Sequence, residues 1–107
     1  MTEPVDALFA ALADPTRRAV VESLAQQGAA SATQLAARFP ISRQAVAKHL
    51  GLLEEAGLVT GSRHGRELRY ELTPAPLNDA MAWMVTVGAG WDRRLAALRR
   101  HLGPGRR

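Results

Sequence analysis

The side chains best suited to chemistry lie together in the stretch SRQAVAKHLGLLEEAG, residues 42–57. Glutamine can form two hydrogen bonds with adenine, and arginine or lysine can pair with guanine or with phosphate. A face of small or polar residues recurs at i, i+3, i+4 and i+7: Gln44, Ala47, Lys48 and Gly51. Because this face carries no acid and no large apolar group, the pattern indicates a helix that could enter a groove of DNA.

The same stretch supplies what a helix needs in order to present that face. Ser42 can cap the first turn through its hydroxyl, and Gly57 can end the helix in the left-handed conformation. An apolar stripe at helical spacing is formed by Val46, Leu50 and Leu53. We therefore predict a recognition helix. The alternative is that Ser42 only caps this helix and the other polar side chains are solvated.

Other kinds of chemistry find little support in the sequence. The chain has no cysteine and three scattered histidines, and it has neither a glycine-rich phosphate loop nor paired acids at a useful spacing. We therefore expect no enzyme, no disulfide and no metal or other cofactor. His49 borders the apolar stripe and is expected to be a packed, hydrogen-bonded structural residue. His64 is expected to be solvated, with phosphate contact as the alternative.

Length and composition indicate one domain with a thin core. The 107 residues are 47% hydrophobic but only 5% aromatic, so burial against a second subunit is expected. The net charge of +4 is weighted towards residues 74–107. Four arginines there should form a solvated face or meet acidic partners: Arg93, Arg94, Arg99 and Arg100. With no signal peptide and no apolar run of about 18 residues, the protein is expected to be soluble and cytoplasmic.

Two helices are predicted at the start of the chain. The first is marked by an apolar stripe of Val5, Leu8, Phe9 and Leu12. The pair Asp14-Pro15 matches the N-cap and first residue of a second helix, which should continue to Gly28. Two arginines in its first turn, Arg17 and Arg18, oppose the helix dipole. They could contact phosphate, pair with an acid of another helix, or be solvated with Arg18 beside Glu22.

A helix-turn-helix is predicted from the way the next two helices meet. Ser31 and Gln34 match a capping box for a short third helix. Pro40 should end that helix, since the residue before a proline resists helical geometry. Only two residues would then precede the cap at Ser42. Helices joined so closely form a helix-turn-helix, whose second helix is available to the major groove.

A period-two pattern follows Gly57 and predicts a β-hairpin. Its first strand opens at residues 58–59, and its second alternates apolar and charged residues over residues 67–72. The predicted tip is His64-Gly65, with an arginine on either side. A basic hairpin directly after a recognition helix is a wing. The predicted DNA-binding residues are therefore Ser42, Arg43, Gln44, Ala47, Lys48, Arg63 and Arg66.

The last predicted helix begins at Thr73-Pro74, a cap followed by proline at the first position. Spacings of four and three residues mark a coiled-coil seam: Met84, Gly88, Trp91, Leu95, Leu98 and Leu102. Gly88 and Gly90 each cost about 1 kcal/mol relative to alanine, so they either bend the helix or let a partner backbone come close. Trp83 and Trp91 are expected in a dimer core, with an effector pocket as the alternative. Residues 103–107 should form a frayed basic tail.

Three segments together resemble the ArsR/SmtB family of winged helix-turn-helix repressors: LADPTRRAVVESLA at 12–25, SRQAVAKHLGLLEEAGLV at 42–59 and GRELRYELTPAPL at 65–77. The resemblance implies a mainly α fold with a small β-hairpin, in which residues 1–102 form one DNA-binding and dimerisation domain. It also implies a homodimer that represses from a palindromic operator and is released by an effector. The first and last helices would form its interface, through Val5, Leu8, Phe9, Leu12, Met84, Trp91, Leu95 and Leu98.

The resemblance is to the non-metal, cysteine-free branch of that family. One family metal site needs cysteines near the third helix, and another needs acids and histidine on the last helix. Here the last helix offers Asp79, Asp92 and His101 at spacings that do not match. A different function remains open, a winged-helix module for protein interaction or dimerisation without DNA binding. The basic and amide side chains on the predicted reading surface argue against it.

Overall fold

The chain forms five helices and a small sheet in the residues that the computed structural model describes, 4–102. The predicted tail, residues 103–107, lies outside them. In chain order the elements are α1 (Pro4–Leu12), α2 (Pro15–Gln27), β1 (Ala30–Ser31), α3 (Ala32–Ala36), α4 (Arg43–Glu55), β2 (Val59–His64), β3 (Glu67–Leu72) and α5 (Ala75–Leu102). The predicted fold class, mainly α with a small hairpin in a winged helix-turn-helix, is confirmed.

The predicted N-caps are confirmed at three helices. Ser31 and Gln34 exchange both hydrogen bonds of a capping box, at 2.8 and 3.1 Å, and Ser42 accepts from the N–H of Ala45 at 3.1 Å. Asp14 accepts from the N–H of Arg17 at 2.9 Å. That bond outweighs desolvation and holds the pKa of the Asp14 carboxyl below its usual value of 3.8.

As predicted, Gly57 terminates α4, two residues after the last helical residue, Glu55, in a Schellman motif. Gly57 has φ of +77°, which favours glycine because a side chain would crowd the carbonyl. Its N–H donates to the carbonyl of Glu54 at 3.0 Å, and the N–H of Leu58 donates to that of Leu53 at 2.9 Å. Two carbonyls that the helix end leaves without partners are thereby satisfied, and the chain turns directly into the hairpin.

The sheet has the order β1-β3-β2 and is antiparallel. His64 pairs with Glu67, so the hairpin loop is Gly65-Arg66, and the predicted tip at His64-Gly65 is wrong by one residue. Gly65 has φ of +65°, whereas the described non-glycine residues all have negative φ, which matches a type II′ turn. Strand β1 was missed, because two residues pairing with β3 carry no periodic signal.

Two helix boundaries differ from those predicted. Helix α3 ends at Ala36 rather than at the residue before Pro40, because the N–H of Arg38 bonds back only three residues, to Leu35 at 2.9 Å. Five residues, 37–41, therefore separate α3 from the cap at Ser42, instead of the two expected. Helix α5 starts at Ala75, one residue later than Pro74, whose carbonyl accepts from the N–H of Asn78 at 3.0 Å.

The core lies where α1, α2, α3, α4 and the base of the hairpin meet. The predicted stripe of α4 is fully buried there, and the largest buried side chains are Leu8, Leu35, Leu50, Leu53, Leu58, Val20, Val46 and Val59. Leu8 is only 1% exposed, because its side chain packs in the core of its own protomer. Its prediction as a dimer-interface residue is wrong for that reason.

Arg17 and Arg18 have a role that the sequence did not reveal. The Nε of Arg17 donates to the carbonyl of Ala11 at 2.7 Å, and a terminal nitrogen of Arg18 donates to that of Leu12 at 2.6 Å. Both side chains thus cap the C-terminal end of α1, where cations are favourable. Within residues 4–102 no ion pair joins Arg18 to Glu22, so that predicted alternative is wrong.

Helix α5 is the most exposed element. It is continuous through Gly88 and Gly90, and Ala80 alone of its described residues is buried. Eight of its large apolar side chains are at least 49% exposed: Met81, Trp83, Met84, Val85, Val87, Trp91, Leu98 and Leu102. Trp83 packs edge-on against Phe9 of α1, with ring centroids 5.9 Å apart. Over the described part of the chain, no helix has both the length and the apolarity needed to span a bilayer.

Candidate nucleic-acid interface

The outer face of α4 is exposed because the opposite face is anchored in the core. Val46, Leu50 and Leu53 are each 0% exposed, which fixes the rotation of the helix about its axis. All five predicted DNA-binding residues of this region consequently face solvent: Ser42, Arg43, Gln44, Ala47 and Lys48. None of these five residues has a large apolar side chain.

A groove of about 610 Å³ runs between α4 and the wing. We call it the basic groove, and it is lined by Ser31, Ala32, Thr33, Arg43, Ala47, Arg63, Arg66, Glu67, Leu68 and Tyr70. It brings together four of the seven predicted DNA-binding residues, two from each side. Gln44 and Lys48 on α4 and the cap residue Ser42 are exposed but are not among the residues that line this groove. The predicted set is therefore one surface, of which the basic groove is the concave part.

The charge of the basic groove is positive. Its lining residues include three arginines, Arg43, Arg63 and Arg66, against one acid, Glu67. Glu67 is itself paired with Arg69, at 2.6 Å on the exposed side of β3. Such an exposed pair contributes little stability, but it reduces the negative charge facing the groove. A concave surface of one sign raises the local concentration of an oppositely charged ligand such as phosphate.

The acids of α4 lie at its far end. Glu54 and Glu55 occupy the last turn, roughly 17 Å along the axis from Arg43 at 1.5 Å per residue. Glu54 accepts from the N–H of Gly61 in β2 at 3.3 Å, which ties the helix end to the hairpin. The electropositive part of the helix is therefore its first two turns, the part that enters the major groove in helix-turn-helix proteins.

Sequence reasoning missed Thr33. Its hydroxyl accepts a hydrogen bond from Nε of Arg43 at 3.0 Å, across the turn between α3 and α4. Both side chains are exposed and line the basic groove. No pattern in the sequence could have indicated this contact, because it depends on how the two helices cross. Tyr70 and Leu68 of β3 are further lining residues that were not predicted.

His49 and His64 do not form a metal-binding site. His49 is half-buried, and its Nδ1 is buried without a hydrogen-bond partner in the described chain, so the expectation of a hydrogen-bonded histidine is wrong at that atom. His64 is exposed, and its Nε2 lies 3.1 Å from the hydroxyl of Ser62. Among residues 4–102 no three histidine or acid side chains cluster closely enough to hold a metal ion.

Comparisons with known proteins agree with this geometry. A family model described as a helix-turn-helix domain matches residues 12–62. The HTH-type regulator YuzN of Bacillus subtilis is 43% identical over 67 residues, 57% of this chain and 73% of that protein. The transcriptional repressor SdpR of the same species is 33% identical over 78 residues, 73% of this chain and 86% of that protein. An ArsR-like transcriptional regulator from Rhodococcus has a TM-score of 0.83 and 42% identity, covering 96% of this chain and 95% of that one.

Proposed function

Since the chain belongs to the ArsR/SmtB family of winged helix-turn-helix transcriptional regulators, we propose that it is a homodimeric repressor. In this proposal each protomer inserts the first two turns of α4 into the major groove of a half-site of a palindromic operator. The observation that carries the proposal is the basic groove, in which recognition helix and wing present three arginines to one concave surface. The protein is a regulator and not an enzyme.

The contacts divide into two kinds. Gln44, Arg43 and Lys48 are proposed to contact base edges, where a glutamine can bond adenine and a cation can bond guanine. Arg63 and Arg66 lie on the exposed wing and are proposed to contact the phosphate backbone, which positions the protein without reading sequence. Ser42 and Ala47 complete the surface, with the methyl group of Ala47 able to meet a thymine methyl.

Dimerisation is proposed through α1 and α5. Eight large apolar side chains of α5 are at least 49% exposed, and clustered exposed apolar side chains are typical of a protein–protein interface. The Phe9–Trp83 contact links this helix to α1. The proposed interface keeps Val5, Phe9, Leu12, Met84, Trp91, Leu95 and Leu98, and omits the buried Leu8. Twofold symmetry would then separate the two recognition helices by about 34 Å, one turn of DNA.

Repression is proposed by analogy with SdpR, which is named as a transcriptional repressor. Binding of the dimer to an operator would exclude polymerase from the promoter. Release of the dimer from the operator would require a small molecule that binds more tightly to a conformation with low affinity for DNA. Only a ligand that binds the two conformations unequally can shift the equilibrium between them. A repressor must reach the chromosome, so we place the protein in the cytoplasm.

The test is binding to duplex DNA from the region upstream of the protein's own gene, against an unrelated duplex, by fluorescence anisotropy at several salt concentrations. We expect the wild type to prefer the upstream duplex. Gln44→Ala should change the sequence preference. Arg66→Ala should weaken binding to all duplexes similarly and lower the salt slope by about one. Arg100→Ala, an exposed arginine on α5, is the matched control and should bind as the wild type does.

Two outcomes would contradict the proposal. If the wild type binds neither duplex, the protein is the interaction module without DNA binding. If both Gln44→Ala and Arg66→Ala bind as Arg100→Ala does, the DNA-binding surface lies elsewhere on the molecule.

A further inference from the structure

We propose that Thr33 is a positioning residue for Arg43, and that the two side chains together give each protomer a guanine-specific contact. This inference rests on the proposed function, because it concerns the same interface with DNA. It adds a residue of α3 to the reading machinery, and it names the base that Arg43 recognises.

The hydrogen bond joins two points of fixed backbone. Thr33 lies in the first turn of α3, which is held by the capping box of Ser31 and Gln34. Arg43 is the first residue of α4, whose first turn is held by the cap at Ser42. The 3.0 Å bond from Nε of Arg43 to Oγ1 of Thr33 therefore orients a long side chain from two rigid anchors. An arginine that is oriented before binding loses less conformational entropy when it meets its target.

The bond leaves the recognising edge of the guanidinium available. Nε carries one of its five N–H groups, and the two terminal nitrogens carry the other four. Within residues 4–102 neither terminal nitrogen of Arg43 donates to an acceptor of the chain. Their parallel N–H groups match the O6 and N7 acceptors of guanine, whereas adenine presents an amino donor in place of O6. The pair of terminal N–H groups that Thr33 orients is thus the pair that distinguishes G·C from A·T.

The position of Arg43 favours a base over a phosphate. It stands at the N-terminal end of α4, the end that approaches base edges in helix-turn-helix proteins. The next residue on its side, Ala47, also lines the basic groove and has only a methyl group, which leaves room for a base edge. The opposite wall carries Arg63 and Arg66 on the exposed hairpin, where backbone contacts are better placed.

The experiment begins with selection of the preferred half-site from a randomised duplex pool by the wild type. Affinities are then measured at one salt concentration for this site and for versions in which each G·C pair is replaced by A·T. Thr33→Val, which keeps the shape and removes the acceptor, should bind the selected site roughly 2- to 10-fold more weakly. Thr33→Ser, which restores a hydroxyl, should recover most of that loss. Arg43→Ala should lose roughly 5- to 150-fold of discrimination at one G·C position.

The double variant separates positioning from direct contact. In an Arg43→Ala background, Thr33→Val should cause no further loss, because the group that it positions is gone. An equal loss in both backgrounds would mean that Thr33 contacts DNA itself, and would overturn the inference. A uniform loss by Arg43→Ala at every site, with a lower salt slope, would assign Arg43 to phosphate and would also overturn it. Failure of the wild type to select any site would contradict the proposed function instead, and thermal unfolding of Thr33→Val checks that it folds.

Discussion

Arg17 and Arg18 are subject to two opposing electrostatic effects, an unfavourable interaction with the dipole of α2 and favourable hydrogen bonds to the end of α1. The larger of the two decides their effect on stability. Cations in the first turn of α2 oppose its dipole, at a cost of about 0.3–1 kcal/mol each. Their guanidinium groups reach back to carbonyls that end α1, and a hydrogen bond with a charged partner contributes about 1.5–3 kcal/mol. Arg17 is half-buried and Arg18 exposed, so Arg17 should be the more important of the two for stability.

Replacing Arg17 tests this role. We expect Arg17→Met to lower the free energy of unfolding by about 1–2 kcal/mol, because the carbonyl of Ala11 loses its donor while the apolar part of the side chain is kept. Urea denaturation at a fixed protein concentration measures the change. Glu22→Gln is the control and should stay within about 0.5 kcal/mol of the wild type, since Glu22 has no ion-pair partner among residues 4–102. Equal losses in the two variants would contradict the capping role.

Asp14 makes the stability of the protein depend on pH, because its charged carboxylate caps α2. The N–H of Arg17 lowers the pKa of the folded carboxyl below its ordinary value of 3.8. Its contribution to stability is therefore complete above that ordinary value and is lost as the pH falls through the lowered pKa. We expect the destabilisation caused by Asp14→Ala to be full at pH 7 and to shrink steadily towards pH 3.

Asp14→Asn separates the charge from the cap in that experiment. Asparagine also caps helices well but does not titrate, so the stability difference between Asp14→Asn and Asp14→Ala should not change with pH. Urea denaturation across the pH series gives both comparisons. A pH-independent effect of Asp14→Ala against the wild type would show that the charge of the cap has no role.

At the level of elements, the wing depends on a close approach between its two strands. Gly61 of β2 faces Tyr70 of β3, and a Cβ on Gly61 would lie 3.1 Å from Cε1 of the tyrosine ring. Tyr70 is half-buried against the core and lines the basic groove. The glycine thus makes room for the ring of Tyr70 between the hairpin and the basic groove.

Alanine at two glycines should have opposite effects. Gly61→Ala should destabilise by about 1 kcal/mol or more, because the ring is packed against the core and an added methyl overpacks it. Gly51→Ala should stabilise by about 0.5–1 kcal/mol, since a Cβ there meets nothing within 4 Å and α4 gains a better helix former. Thermal unfolding without DNA measures both changes. Stabilisation by Gly61→Ala would show that Tyr70 can move away freely.

The elements themselves were largely predictable, because their signals are local. The caps at Asp14, Ser31 and Ser42 and the stop at Gly57 act through residues three or four positions away, so the sequence contains both partners. The contacts that were missed are the ones between elements. Thr33 reaches Arg43, the arginines of α2 reach α1, and β1 exists only because β3 lies beside it. The exposure of the predicted residues on α4 was therefore predictable from that segment alone, whereas the hydrogen bond from Arg43 to Thr33 was not.

The whole molecule has a shape that suits a second copy. It measures 68 × 29 × 23 Å, and α5 accounts for about 42 Å of length at 1.5 Å per residue. Leu98 lies on the seam of that helix and is 52% exposed, so its side chain adds little hydrophobic stabilisation to a monomer. Ala97, the residue before it, is also exposed but lies off the seam. The two neighbours can therefore take the same substitution and report on different surfaces.

If the proposed dimer forms through this seam, Leu98→Glu should convert it to a monomer, because the variant places an unpaired carboxylate in an apolar interface. Ala97→Glu should leave it dimeric. Sedimentation at micromolar concentration distinguishes the two. Because a dimer binds both half-sites together, its affinity for the operator can exceed that of one protomer by about 10²–10⁴-fold. Compared with the wild type, Leu98→Glu should therefore bind a full palindrome more weakly by a factor of that size. Its affinity for a single half-site should be almost unchanged. If it stays dimeric, or if Ala97→Glu dissociates equally, the seam of α5 is not the interface, and the one-turn spacing of recognition helices has no basis.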